Sequence, residues 1–481
     1  MALTLLSDNI HFTQRNFAPL IDYLTQNKII KVDTSHKQMK VAYGNYVTHR
    51  HVLQGNSDLL SECININNYK TYNYDGINLF SIAELEIKSI LIPLHYKKCL
   101  ADKVFIDFEI DFELHRQVII DNYAAAIFWL NYWKVVFAAN EVSHAITFSG
   151  SSIYQKSFKT IAYNFSAKFF LVEHLWTGNE FLLEEQPGPI PNGSIFKYQQ
   201  SGSVNSPERL RALDIINKKT NKNVKSLGAD IFLKPVCQRV LIIGQVCNDY
   251  SILRSDTLND SIANYVKVID NILNTTSYDV VFKAHPYESN KTNIGTALTK
   301  EILELRFEKY ITNGRLLICE NVSLKSLYSQ VSAVMTMCSQ AGLEASLAGF
   351  KVFILGKSFY SNNLFNKSFD CSEKLVKALN NEETHLNELE FSHLFDFCTD
   401  FLVNHAISSN EMNKVSRILD PQNEIGTVPL SENEVRTEYE KTTIEESESV
   451  FKRRFKRKLR KFLKEPKSFF VDANKNLLKK L

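Results

Sequence analysis

The 481-residue chain has no apolar run near the ~18–20 uninterrupted residues that a membrane-spanning helix needs, so a helical membrane protein is not expected. It has no Cys-x-x-Cys pair. Its eight cysteines (Cys63, Cys99, Cys237, Cys247, Cys319, Cys338, Cys371 and Cys398) stand far apart, which argues against structural zinc. Scattered cysteines in a long chain predict reduced, mostly buried thiols, the usage of a cytosolic protein. The opening stretch Met1–Asp8 lacks a basic n-region and a small-residue cleavage site, and reads as a first strand rather than a secretory signal. Asn-X-Ser/Thr triplets such as Asn192-Gly193-Ser194 are then read as chance. Also missing are a repeat of fixed period and an acidic loop of the kind that holds a metal.

What is present is an ordinary soluble profile, 44% hydrophobic and 23% charged, long enough for two or three domains. The net charge of +3 conceals an asymmetry: residues 450–481 carry +11, so the rest of the chain sums to −8. Seven glutamates between 432 and 448 mark an acidic linker, 431–449, before that basic tail. In the tail Phe451, Phe455, Leu459, Phe462 and Leu463 recur at helical spacing among lysines and arginines, and Pro466 ends the pattern. Such a basic amphipathic helix suits an anionic membrane surface. No fold motif supports nucleic-acid binding.

Strand-like and helix-like patterns alternate along the body, which predicts mostly parallel sheets covered on both faces. Leu3–Leu6 is a strand candidate, and Phe17, Leu20, Ile21 and Leu24 follow at helical spacing. Residues 105–113 alternate strictly and predict a half-buried strand with its acids facing water, rather than a metal-ligand cluster. Residues 117–140 predict a long buried helix, and residues 144–148 and 167–172 two further strands. Polar helical residues 200–235 read as an interdomain connection. A second α/β unit has predicted strands at 239–245, 279–283, 315–319, 332–337 and 351–355. The expected plan is therefore α/β: an N-terminal Rossmann-like domain over 1–210 and a second over 236–400, facing each other across a cleft. A helical segment over 401–430, the linker and the tail follow. Residues 30–100, rich in Asn, Tyr and Ile, are expected to shape the first domain's side of the cleft.

Ligands bind outside the carboxyl ends of strands in open α/β sheets, and three predicted strands end in polar turns. Val280-Val-Phe282 runs into Lys283, His285 and Pro286, and Met335–Met337 into Cys338-Ser339-Gln340-Ala-Gly342-Leu-Glu344. The third turn, Gln245–Asp249, ends in a carboxylate. Free amides at a helix start favour an anion, which suggests a nucleotide or sugar-nucleotide site. Each motif has an ordinary structural reading beside this one. His285-Pro286 could merely open a helix, Ser339 cap one, Glu344 offset its dipole, and Asp249 form a turn. On the first domain, Ser149, Ser151 and Ser152 follow one strand, while Glu173 and His174, with Thr177, follow the next. Glu173 is either a buried structural acid or an acid/base group.

Together these motifs resemble the bacterial capsule and lipopolysaccharide families that transfer 3-deoxy-D-manno-octulosonic acid (Kdo) from CMP-β-Kdo on a GT-B fold. The likeness rests on Gly244-Gln245-Val246 with Asp249, Lys283–Pro286, Ser339–Ala345, Gly349–Val352, Phe148–Ser152, and Val172–His174 with Thr177-Gly178. It spans about residues 140–360, and no one motif is specific. It implies that the His285-Pro286 turn holds the cytidine. Cys338, Ser339, Gln340 and the helix with Gly342 would bind the CMP phosphate, and Glu344 the ribose. Lys283 would neutralise phosphate or the sugar carboxylate. Asp249 of the Gln245-x-x-x-Asp249 motif would be the nucleophile of a retaining transfer, and Glu173, with His174 nearby, its acid/base partner. Ser149, Ser151, Ser152 and Thr177 would stand on the acceptor side. No metal or cofactor is implied, since a single leaving phosphate can be stabilised by helix N-termini and a lysine.

The resemblance also implies a lipid-linked or polysaccharide acceptor, attachment to the inner face of the bacterial inner membrane through 450–481, and possible companion transferases. His-Pro and Ser motifs recur in bacterial sialyltransferases, which leaves another CMP-nonulosonic acid transferase as the near alternative. A sugar-nucleotide epimerase or a catalytically silent assembly subunit is the alternative of another class.

Overall fold

A computed structural model describes residues 3–198, 206–219, 238–254 and 258–420; the acidic linker and the basic tail lie outside these residues. Two α/β units are built on separate sheets. The first sheet holds β1 (Leu3–Leu6), β2 (Ile30–Val32), β5 (Val142–Phe148), β6 (Lys168–His174) and β7 (Phe181–Glu185). Its order is β2-β1-β5-β6-β7, parallel except for β7. A small ribbon of β3 (Asn73–Tyr74) and β4 (Ile77–Asn78) stands apart. The second sheet is wholly parallel, in the order β10-β9-β8-β11-β12-β13. Its strands are β8 (Arg239–Ile243), β9 (Asp279–Lys283), β10 (Leu316–Cys319), β11 (Ala333–Thr336), β12 (Val352–Leu355) and β13 (Asn366–Phe369). Counted from β8 this is the doubly wound order 3-2-1-4-5-6, whose order reverses between β8 and β11. The first sheet reverses between β1 and β5.

The strands of the second unit formed where the sequence reads as short apolar runs, because a parallel sheet covered on both faces buries most of its side chains. β13, with only Phe369 and partly polar Asn366-Lys-Ser, carries no such run and was not expected. The alternating stretch 105–113 is not a strand. Residues 104–111 are irregular, and Asp111 caps the helix Phe112–Ala138 by accepting from Leu114 N at 3.0 Å. Its phenylalanines pack on the helix Leu79–Asp102 instead, Phe105 stacking on Tyr96 and Phe108 meeting His95 edge-on. Alternation there reflects one side lying against a helix, with no free sheet edge to join.

The helix Leu79–Asp102 fastens the units together. Leu85, Ile92, Tyr96 and Cys99 share a core with the second sheet, and Tyr96 Oη donates to Asp260 Oδ2 at 2.5 Å. The chain then returns. Ile407 bridges Phe181 at the edge of the first sheet, and helix Met412–Leu419 buries Val415 and Leu419 beside Leu6 and Phe17. Residues 401–420 thus complete the first unit's core. Of the seven described cysteines, five are buried, Cys371 is half-buried and Cys63 is exposed; none is in a disulfide. No described helix is long and apolar enough to cross a membrane.

Candidate functional site

One register row gathers the site. Cys319, Lys283, Ile243, Thr336 and Ile354 lie side by side across five strands of the second sheet. The turns after β8, β9 and β11 therefore start level with one another, at the reversal point. Two glycines let them crowd. A Cβ on Gly244 would stand 2.8 Å from the Lys283 carbonyl oxygen, which Gly244 N itself bonds. A Cβ on Gly342 would stand 2.1 Å from Tyr360 Oη, which donates to Ser339 O at 2.6 Å. Gly342→Ala should therefore destabilise the protein by about 1–3 kcal/mol through overpacking, read as a lower urea midpoint at unchanged slope.

Gln245 and Asp249 are the centre of the arrangement. Gln245 Oε1 accepts from Cys338 N at 3.0 Å, tying the β8 turn to the β11 turn, and its Nε2 lies 3.5 Å from Asp249 Oδ2. Asp249 Oδ1 caps a short helix through Ser251 N (3.0 Å) and Ser251 Oγ (2.8 Å). One carboxylate oxygen is thus fixed by the fold, and among the described residues Oδ2 has a single long contact. Ser251 Oγ also meets Cys338 Sγ at 3.2 Å. Burial pushes the Cys338 thiol up to about 11, with the Asp249 charge adding to it, so the sulfur is a neutral packing group. Glu288, which no motif announced, holds the β8 turn from beneath. Its buried carboxylate accepts from Cys247 N (2.9 Å), Thr299 N (3.0 Å) and Thr299 Oγ1 (2.7 Å).

The helix after β11 spans Ala341–Leu347 and its N-cap is Gln340, one residue later than a Ser339 cap would place it. Ser339 Oγ accepts from Ala341 N (3.2 Å). The amides of Ser339 and Gln340 donate to none of the described residues. The start of helix Ile153–Asn164 in the first unit differs. Gln155 Oε1 takes the amides of Ser151 and Ser152, and Glu86 Oε1 takes that of Ile153. Of the two turns, only the one after β11 offers amides to an anion.

From the first sheet, Glu173 and His174 end β6 itself rather than following it. Gln340 Nε2 donates to His174 O at 3.1 Å, which links the two units at the site. The Glu173 carboxyl is raised to about 8, chiefly by desolvation, and the charge of Asp249 adds to the shift. Although Glu173 keeps part of its surface accessible, its carboxylate thus lies close enough to Asp249 to feel it. His285 is held down to about 4, by burial above all, and is neutral near pH 7. Its Nδ1 accepts from Tyr287 N at 3.2 Å, so the ring carries its proton on Nε2 and presents a donor.

Other expected residues sit further from this centre. Lys283 is buried and donates to Ala284 O at 2.9 Å, with Cys319 and Glu320 beside it. Glu344 pairs with Lys219 at 2.6 Å. Thr177 is fully buried. Pro286 is exposed beside His285. Ser151 is buried, its Oγ meeting Ser149 Oγ at 3.1 Å. Ser149 and Ser152 line a cavity of about 260 Å³ between the units. Tyr43 and Ser89, from the Asn- and Tyr-rich stretch, line it too, as do Asn248 and Tyr250, the neighbours of Asp249. No group of three or more His, Cys, Asp or Glu among the described residues could hold a metal ion.

Two Rossmann-like units closed over a cleft, with facing polar turns at the carboxyl ends of their sheets, define a GT-B type α/β protein. Residues 191–365 match the family model described as capsule polysaccharide biosynthesis protein, and this stretch holds the turns after β8, β9 and β11. No curated protein sequence is significantly similar to the chain. Among solved structures, the chain is similar to the β-Kdo 2,7 transferase of Thermosulfurimonas dismutans KpsC at 14% identity and TM-score 0.36, covering 59% of this chain and 88% of that one. The β-Kdo 2,4 transferase of the same protein gives 15%, 0.36, 58% and 88%. UDP-GlcNAc 2-epimerase of Methanocaldococcus jannaschii gives 13%, 0.33, 84% and 99%.

Proposed function

We propose that the protein is a glycosyltransferase of capsule or related surface-glycan synthesis that moves Kdo from CMP-β-Kdo to a sugar acceptor with retention. The observation that carries this reading is the joining of the two sheet ends: Gln340 Nε2 donates to the carbonyl of His174, next to Glu173, and Cys338 N donates to Gln245, the partner of Asp249, so carboxylates of opposite units face one cleft. In a two-step transfer Asp249 Oδ2 attacks the anomeric carbon, the bond to the phosphate oxygen breaks, and its electron pair leaves with CMP, Glu173 giving its proton to the departing oxygen. The acceptor hydroxyl then attacks the glycosyl-aspartate, Glu173 takes the hydroxyl proton, and Asp249 is released. Esterifying Asp249 removes its charge, which lowers the Glu173 pKa as that group must become a base. The free amides of Ser339 and Gln340 suit the leaving phosphate, and Nε2–H of His285 suits the donor's anionic groups. Glu344 would have to exchange Lys219 for the ribose. These residues call for no metal.

Mass spectrometry of the intact protein with CMP-β-Kdo generated in situ, without acceptor, tests the reading. A gain of one Kdo residue supports it. No adduct, with a CMP-induced rise in melting temperature, would sink retention and leave the nucleotide site.

For the tail outside the described residues, we propose peripheral membrane attachment. A chain lacking 450–481 is expected in the soluble fraction with its adduct-forming activity intact. Continued sedimentation with membranes would count against it.

A further inference from the structure

The cavity beside Asp249 contains a histidine that no motif marked. His11 follows β1, at the reversal point of the first sheet, and lines the cavity with Ser149, Tyr154 and Gln155. Behind it Asp8 is fully buried. Asp8 Oδ1 accepts from Ile10 N (2.9 Å), His11 N (2.8 Å) and His11 Nδ1 (3.1 Å). Asp8 Oδ2 accepts from Ser7 Oγ (2.9 Å) and Tyr154 Oη (3.0 Å). Burial opposes ionisation of Asp8, but the bonds and charge of His11 outweigh it and hold the carboxyl well below its usual range. A buried carboxylate with this many donors is a built support, not a chance contact.

The support determines what the ring offers. With Nδ1–H given to Asp8, the ring has only Nε2 left to offer, and that nitrogen has no hydrogen-bond partner among the described residues. At Nδ1 it is the reverse of His285, whose Nδ1 accepts. His11 also stacks on Phe148 (centroids 4.5 Å apart), and Phe148 touches His174 at 5.5 Å, so the ring stands one aromatic away from the residue beside Glu173. Around it the cavity offers the rings of Tyr43, Phe148, Tyr154, Tyr250 and Tyr287. Aromatic faces interspersed with hydroxyl and amide groups, here Ser149, Ser152, Gln155 and Asn248, suit a sugar ring. At about 260 Å³ the space falls below the ~300–1,000 Å³ of pockets for drug-sized ligands, which fits one ring better than an oligosaccharide.

We infer that this cavity is the subsite for the terminal sugar ring of the acceptor, and that His11, oriented by Asp8, hydrogen-bonds one of its hydroxyls through Nε2. His11 is then a specificity-determining residue, while Glu173 takes the proton of the attacking hydroxyl. The inference rests on the glycosyltransferase reading, which the acceptor-free adduct assay tests separately.

The experiment uses full-length protein labelled with ¹³C-histidine, titrated into tens of millimolar with methyl glycosides of Kdo, ribose, galactose and N-acetylglucosamine. His11→Asn assigns the ring signal and serves as the test variant. The Asn amide reproduces Nδ1 and can keep the bond to Asp8, but nothing replaces Nε2. At least one glycoside is expected to shift the His11 signal, and His11→Asn is expected to bind it at least about tenfold more weakly, by saturation-transfer NMR, with CMP binding unchanged. A tenfold loss is the size expected for one hydrogen bond. The assignment is overturned if no glycoside shifts the signal, if His11→Asn binds as well as wild type, or if CMP binding falls with it. Should His11→Asn fail to fold, His11→Phe keeps the stack on Phe148 and gives the same readings. Adduct formation without glycoside binding would sink the subsite alone, whereas glycoside binding without an adduct would sink only the donor reading.

Discussion

Asp249→Asn is expected to lower transfer by at least about 10³-fold, the scale of losing a group that bonds covalently to substrate, with CMP affinity changed less than about twofold. The fold should survive. Asp249 Oδ1 caps the helix Tyr250–Leu253 through Ser251, and an Asn side-chain oxygen caps as well as that of Asp. Gln245 keeps its bond to Cys338 N, so the β8 and β11 turns stay joined. What disappears is the charge at Oδ2 that the proposed transfer uses, and with it the expected acceptor-free adduct. Isothermal titration with CMP beside steady-state transfer checks both halves. An unchanged rate would leave the chain a silent assembly subunit, and lost CMP affinity would make Asp249 a structural residue.

Glu173→Gln should cost transfer about 10²–10⁴-fold, the usual contribution of a positioned acid/base group, and yet stabilise the protein in alkaline solution. The unfolded chain gives up this proton near the ordinary value of 4.5, and the folded protein holds it to about 8. Between those values the folded state binds more protons, so wild-type stability falls as pH rises through that window and is lowest above 8. The variant loses this dependence. Its melting temperature is expected to exceed that of wild type at pH 9 and to match it at pH 4, by scanning calorimetry. A gap that does not vary with pH would refute the shifted carboxyl. Asp249→Asn should narrow the same gap, because the Asp249 charge contributes to the shift. Poorer stability in exchange for a poised acid is a common trade at active sites.

The body's two-unit plan and five of the six strands of the second sheet were legible in the chain, as were the turns at 245–249, 283–286 and 338–344. Parallel strands buried on both faces read as uninterrupted apolar runs, and polar residues right after them mark the ligand edge. Local alternation misled at 105–113, where contact with one helix produces the period of a strand. The strand at 366–369 had too little apolar content to show.

Other decisions were tertiary because the partners are remote in sequence. Asp8 meets Tyr154 146 positions away, Gln245 meets Cys338 across 93, and Gln340 reaches His174 across 166. No periodicity encodes such meetings. They follow from sheet order, which sets the turns after β8 and β11 side by side and brings β1 next to β5. Whether a carboxyl is an ordinary turn acid or a strained one is likewise set by what closes over it. The sequence alone determined where the polar turns fall, because hydrophobic burial dictates the strands that precede them. Only the folded molecule decided which of those groups share a cleft, which are spent on packing, and that Glu173 is pushed up to about 8, since desolvation and charge proximity exist only once the two units meet.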